Sequence, residues 1–156
     1  MRLEKATHIL ESNQAKMRMS NFTEEIPGQI AAGINRLGTK GYTYYSIYPV
    51  APEVPYDEFP YSHERIQACG KDDRLTVEIK RMESDDVRRH YTIGRPSAAG
   101  ESETEVVYNG DNAYPVRPSE VLTPTEAIRL FLGYYGTGDI APGWHLREQP
   151  EFADAG

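Results

Sequence analysis

Behind Glu24 and Glu25 the chain places Ile26, Ile30, Ile34 and Leu37 at helical spacing and then reaches Gly38. This pattern predicts an amphipathic helix over residues 24–38 with one buried stripe, in which Pro27 sits in the first turn where its missing N–H costs nothing. Residues 42–50, YTYYSIYPV, are aromatic and β-branched over a strand's length. Farther on, Leu75, Val77 and Ile79 alternate with Arg74, Thr76, Glu78 and Lys80, the period of a strand with one wet face. The turn residues Glu83, Ser84, Asp85 and Asp86 follow. Residues 87–93 alternate again with Tyr91 and Ile93 on one face, so an antiparallel hairpin is predicted. After a small-residue loop over 95–102, residues 104–108 (TEVVY) offer a third consecutive strand and suggest a meander.

The best-defined start signal is Thr123-Pro124-Thr125-Glu126. Thr123 is suited to cap a helix, Pro124 fits its first position, and Glu126 can reach back to the Thr123 N–H. Ala127, Ile128, Phe131, Leu132 and Tyr135 then predict an apolar face, with Gly136 placed to end the helix. A short strand is predicted at 144–148 (WHLRE), and residues 149–156 read as a frayed tail. The fold class that results is α+β: an antiparallel sheet, a meander of about four to six strands, with an N-terminal and a C-terminal helix packed on it. The 156 residues suit one domain, taken as residues 1–148.

Residues 49–62 break the pattern. Pro49, Pro52, Pro55 and Pro60 stand among Glu53, Tyr56, Asp57, Glu58, Phe59 and Tyr61, a composition that sustains neither a helix nor a central strand. Long loops of this kind are functional or disordered, and the aromatic residues favour function. Charge adds a second asymmetry. The net charge is −7, and all of it lies in residues 100–156, where ten acids face only Arg117, Arg129 and Arg147. Such a chain is a poor ligand for nucleic acid or an anionic membrane and suits a basic partner. The opening residues lack the apolar run of a signal peptide, and no stretch approaches a membrane span, which together predict a cytoplasmic protein.

Catalytic signatures are scarce. Cys69 is the lone cysteine, and His8, His63, His90 and His145 have no metal-ligand spacing, so no cofactor and no metal are expected. Residues 136–141 (GTGDIA) follow a helix and run into Pro142, the wrong context for a dinucleotide loop. Asp72-Asp73 and Asp85-Asp86 sit where turns face water. A binding protein is therefore favoured over an enzyme. The alternative is a small α+β enzyme or ligand-binding domain whose site is assembled from distant residues such as His90, Tyr91 and Asp111; a third class is an adaptor that regulates a cellular protein.

Glu101, Glu103 and Glu105 recur every second residue, so a strand there would align three carboxylates on one face. Their counter-charges come either from Arg88 and Arg89 within the chain or from a basic partner. Acids also interleave with tyrosines at Tyr56-Asp57-Glu58 and between Tyr108, Asp111 and Tyr114. The candidate partner-binding residues are thus Glu53, Tyr56, Asp57, Glu58, Tyr61, Glu101, Glu103, Glu105, Tyr108, Asp111 and Tyr114.

The C-terminal third, residues 105–148, resembles the end of the Imm-one family of immunity proteins from bacterial polymorphic toxin systems. The likeness lies in a strand with Val107 and Tyr108, a capped helix with Pro124, Ala127 and Phe131, a turn with Gly136 or Gly138 and Pro142, and a strand with Trp144. These are core and turn positions, so the resemblance carries over no partner-contacting residue. It implies a stoichiometric antitoxin that forms a 1:1 complex with a cognate toxin, commonly a nucleic-acid deaminase or nuclease, and covers its basic substrate cleft.

Overall fold

The computed structural model describes residues 2–3, 5–60, 62–149 and 154–155. In chain order the elements are β1 (His8–Ser12), β2 (Lys16–Arg18), α1 (Ile26–Asn35), β3 (Tyr44–Pro49), β4 (Arg65–Lys71), β5 (Arg74–Met82), β6 (Val87–Gly94), β7 (Glu105–Asn109), β8 (Asn112–Val116), α2 (Pro124–Thr137), β9 (His145–Glu148) and β10 (Asp154–Ala155). The class is α+β with an antiparallel sheet and two helices, as the patterning predicts. The large sheet runs β2-β1-β3-β4-β5-β6, and the outer edge of β6 is shared by β9, opposite Tyr91–Gly94, and β10, opposite Val87 and Arg88. Eight strands replace the expected four to six, because residues 8–18 and 65–71 pair without showing a clear alternation.

Both helices contribute to the core on one face of this sheet. Ile30 and Ile34 of α1 and Ala127 and Phe131 of α2 meet Ile47, Ile66, Val77, Ile79 and Ile93, all buried. The first helix is shorter than predicted: residues 23–25 form a 3-10 turn, since Glu25 at the N-cap offers no side-chain bond to the first free N–H groups. The second has the expected cap, with Glu126 N–H donating to Thr123 Oγ1 at 3.2 Å and Thr123 N–H to Glu126 Oε1 at 3.0 Å. It passes Gly136 and ends at Gly138, whose φ of 77° closes the last turn. Its buried face is Ala127, Leu130, Phe131 and Tyr134, while Ile128, Leu132 and Tyr135 flank it half-buried. No helix among the described residues is long and apolar enough to cross a membrane.

The opposite face carries a third layer. β7 and β8 form their own two-stranded sheet, and Val107 and Val116 bury Cys69 of β4 against it. Residues 104–108 are therefore not the third strand of a meander. A 3-10 turn at Pro96–Gly100 and the extended segment behind it take the chain across to this face. Gly70 makes the approach possible: its φ is +122°, and a Cβ there would overlap the Arg74 carbonyl and crowd Val107. Burial pushes the Cys69 thiol well above its ordinary range, leaving an inert packing residue.

The C-terminal segment also differs from the frayed tail read in the sequence. Gln149 N–H donates to the His90 carbonyl at 2.7 Å, Gln149 Nε2 donates to Thr92 Oγ1 at 2.9 Å, and β10 rejoins the sheet. The vacant edge of β6 supplies the backbone partners that draw this segment in.

Candidate partner-binding surface

Loop 50–60 joins β3 to β4 and is almost wholly exposed. Its difficulty is a shortage of donors: Pro52, Pro55 and Pro60 have no N–H, so their neighbours' carbonyls lack partners. Two short turns satisfy some of them, with Val54 N–H to Ala51 O at 3.1 Å and Glu58 N–H to Pro55 O at 3.0 Å. Arg18 serves several more. This side chain, only 7% exposed, extends from β2 and donates through Nε to Tyr56 O at 2.9 Å and through Nη2 to Pro55 O at 2.8 Å and Val54 O at 3.3 Å. Its guanidinium also lies 5.2 Å from the centre of the Tyr56 ring. Lys5 Nζ adds a bond to Pro52 O at 3.0 Å, and Val54 packs against Ile9, Tyr48 and Val50.

A loop held from beneath by a planar cation keeps its side chains turned outward. Tyr56 is 71% exposed, Phe59 is partly exposed, and Glu53, Asp57 and Glu58 surround them. Among the described residues no Lys or Arg lies within ion-pair distance of these three carboxylates. Tyr61 lies outside the described residues.

The second group of predicted acids is engaged within the fold. Glu101 and Glu103 precede β7, so the three glutamates do not share one strand face. Glu101 accepts from both the Ser119 N–H and the Ser119 hydroxyl at 2.7 Å, and these bonds lower its pKa. Glu103 lies 3.4 Å from Arg147, and Glu105 pairs with Arg74 at 2.9 Å. The counter-charges come from Arg74 and Arg147 rather than from Arg88 and Arg89.

Tyr108 is 58% exposed on the outer side of β7 and Asp111 occupies the turn of the hairpin, while Tyr114 is half-buried beside Cys69 and Val107. This hairpin tip is tied to the start of β3, where Thr43 Oγ1 donates to Asn109 Oδ1 at 2.7 Å. The loop 50–60 leaves the other end of the same strand. At about 3.3 Å per residue the two groups stand roughly 20 Å apart and make two patches, not one.

The distant-residue alternative does not converge either. His90 Nε2 meets Glu78 Oε2 at 2.5 Å on the hairpin-bearing face, and Tyr91, its neighbour in the strand, points to the helix face and donates to Glu83 Oε1 at 2.8 Å. Asp111 belongs to the hairpin turn. Asp72 and Asp86 hold positive φ in tight turns, as acid pairs facing water should. Among the described residues, no group of three or more His, Cys, Asp or Glu is placed to hold a metal ion.

Against family models, curated proteins and solved structures the chain has no match. The functional argument therefore rests on the residues themselves. Sequence reasoning identified the aromatic and acidic loop but missed Arg18, whose carbonyl partners lie 36 to 40 residues away. It also missed the wholly buried Glu120, which takes Arg147 Nη2 at 2.7 Å and Nε at 2.8 Å, with the Arg117 N–H at 2.8 Å. Only the number of acids gave a hint of such a pair.

Proposed function

We propose that this protein is an immunity protein: a cytoplasmic, non-enzymatic inhibitor that binds a cognate bacterial toxin one to one, with loop 50–60 as the contact surface. The observation that carries the reading is the Arg18 clamp beneath an exposed group of Tyr56, Phe59, Glu53, Asp57 and Glu58. Exposed aromatic rings in a pre-ordered loop supply contact area without the entropy of ordering on binding, and the unpaired acids steer a cationic target. A nucleic-acid deaminase or nuclease presents such a target, because its substrate cleft must attract phosphates. Carboxylates on the loop would take the phosphates' place.

The test is co-expression with the product of the adjacent reading frame, scored by viability and by co-purification. Rescue with a one-to-one complex supports the reading; a harmless or non-binding neighbour overturns it. The surface is tested separately with the variant Glu53→Lys/Asp57→Lys/Glu58→Lys, which should slow association at least tenfold at low salt. An unchanged association rate would move the interface elsewhere while leaving the function intact.

A further inference from the structure

The two strands of the β7–β8 hairpin differ at their outer edges. With a two-residue turn at Gly110 and Asp111, the pairs Asn109–Asn112, Val107–Tyr114 and Glu105–Val116 exchange hydrogen bonds, and the residues between them turn their main-chain groups outward. On β8 those residues are Ala113 and Pro115, and Pro115 has no N–H to offer a further strand. On β7 they are Val106 and Tyr108, which keep both groups. Among the described residues no strand pairs with that edge, and the Arg74 guanidinium reaches it only at the Val106 carbonyl, at 3.3 Å. A carbonyl has a second lone pair, so Arg74 does not close the edge.

Beyond the open edge lies a ledge. The Arg74 contact puts the β4–β5 turn on the outer side of β7, whereas β8 lies near Glu78 and Thr92, farther along the sheet. From Gly70, which touches Val107, the chain runs on through Lys71 to the turn at Asp72 and Asp73, about 6 Å at strand spacing. One further strand, about 4.8 Å from β7, fits over that ledge. A second copy's β7 would bring an equal ledge, and two of about 6 Å do not fit within one strand spacing. The space above the ledge is a groove of about 300 Å³, bordered by Gly38, Tyr42, Gly70, Lys71 and Tyr108. Among the described residues no carboxylate is within ion-pair distance of Lys71. On the outer face Val106, 42% exposed, and Tyr108 stand beside the edge.

We propose that this slot takes one extended segment of the toxin, added antiparallel to β7, with an acidic residue between two apolar ones. The apolar residues stand opposite Val106 and Tyr108, exchange main-chain bonds with them and cover their side chains on the outer face. The acidic residue stands opposite Val107, turns inward as Val107 does, and sets its carboxylate against Lys71. The slot is a second contact, separate from loop 50–60, and it rests on the immunity reading only for the owner of the segment.

The probe is the end-capped pentapeptide Thr-Val-Glu-Val-Thr, titrated into the whole chain and followed by amide chemical shifts. Saturable shifts at Val106 and Tyr108, with a midpoint in the millimolar range or below, are expected. N-methylation of both valines, which removes the donated main-chain bonds, and exchange of the central glutamate for lysine should each weaken binding about tenfold. Lys71→Glu, at an exposed position, should reverse the choice, so that the lysine peptide binds the variant more tightly than the glutamate peptide. No saturable shift up to about 5 mM, equal binding of the N-methylated peptide, or a preference unmoved by Lys71→Glu would overturn the proposal. So would shifts at Val106 and Tyr108 that grow with the concentration of the chain alone, which would give the edge to a second copy. Ownership is read from the complex with the adjacent reading frame's product, where the Val106 and Tyr108 amides should exchange more slowly than in the free chain. Unchanged exchange in a complex that forms would take the slot away from the toxin. A neighbour that fails to bind overturns the immunity reading instead, and the peptide titration still decides the slot.

Discussion

Arg18→Ala tests whether the loop is held from beneath. The substitution removes three donations at 2.8, 2.9 and 3.3 Å, a longer fourth to Glu58 O at 3.5 Å, and the cation beside the Tyr56 ring. Were the carbonyls left dry, each lost charged bond would cost about 1.5–3 kcal/mol. They belong to a loop at the surface, however, and water replaces the guanidinium once it is gone, so about 1 kcal/mol per bond is the better figure. With about 0.5–1 kcal/mol for the cation over the ring, the total is about 3–4 kcal/mol. For a chain of this size that lowers Tm by roughly 10 °C. Arg18→Lys should recover little of it, since an ammonium is a single point and cannot span three carbonyls. Thermal unfolding gives the magnitude, and hydrogen exchange of the amides at 53–59 localises it. A Tm within about 2 °C of the parent together with unchanged exchange in the loop would refute the clamp.

Two further outcomes follow from buried groups. His8 packs against the Tyr135 ring at 4.3 Å, and burial lowers its pKa to about 4 from an unfolded value of about 6.5. The unfolded chain then binds the extra proton between those values, so stability is complete above about pH 6.5 and falls by up to roughly 3 kcal/mol as pH drops to about 4. Denaturant midpoints across that range should show the slope, and His8→Phe should lack it; equal slopes in the two proteins would contradict the assignment. Glu120→Gln takes from Arg147 its two shortest carboxylate bonds, at a position where Glu120 itself is wholly buried, and is expected to cost about 3–5 kcal/mol in urea unfolding, with part restored by adding Arg147→Met. A cost below about 1 kcal/mol would mean the pair is solvated.

What the sequence discloses tracks how local the cause is. The cap of α2 is written within four residues, Thr123 to Glu126, and the β5–β6 hairpin within twenty, so both were legible. β4 was not, because Gln67, Ala68, Cys69 and Gly70 are small or polar where a layer presses from each side of the sheet, and packing rather than propensity selects them. β8 was hidden by Pro115, which a two-stranded sheet tolerates because each strand keeps one edge free of pairing. At the candidate surface, the composition of residues 53–59 disclosed an irregular, exposed loop. The commitments of Glu101, Glu103 and Glu105 were not legible, since their partners Ser119, Arg147 and Arg74 are brought to them only by the folded chain.

The large sheet ends on one side in β2, three residues long, and on the other in β9 and β10, of four and two. A sheet of eight strands would otherwise display a long row of unpaired N–H and C=O groups, ready to template another chain. Here an incoming strand finds three or four residues before the ladder stops. That is too few to nucleate stacking from copy to copy along the large sheet, so its short edge strands guard it against self-association.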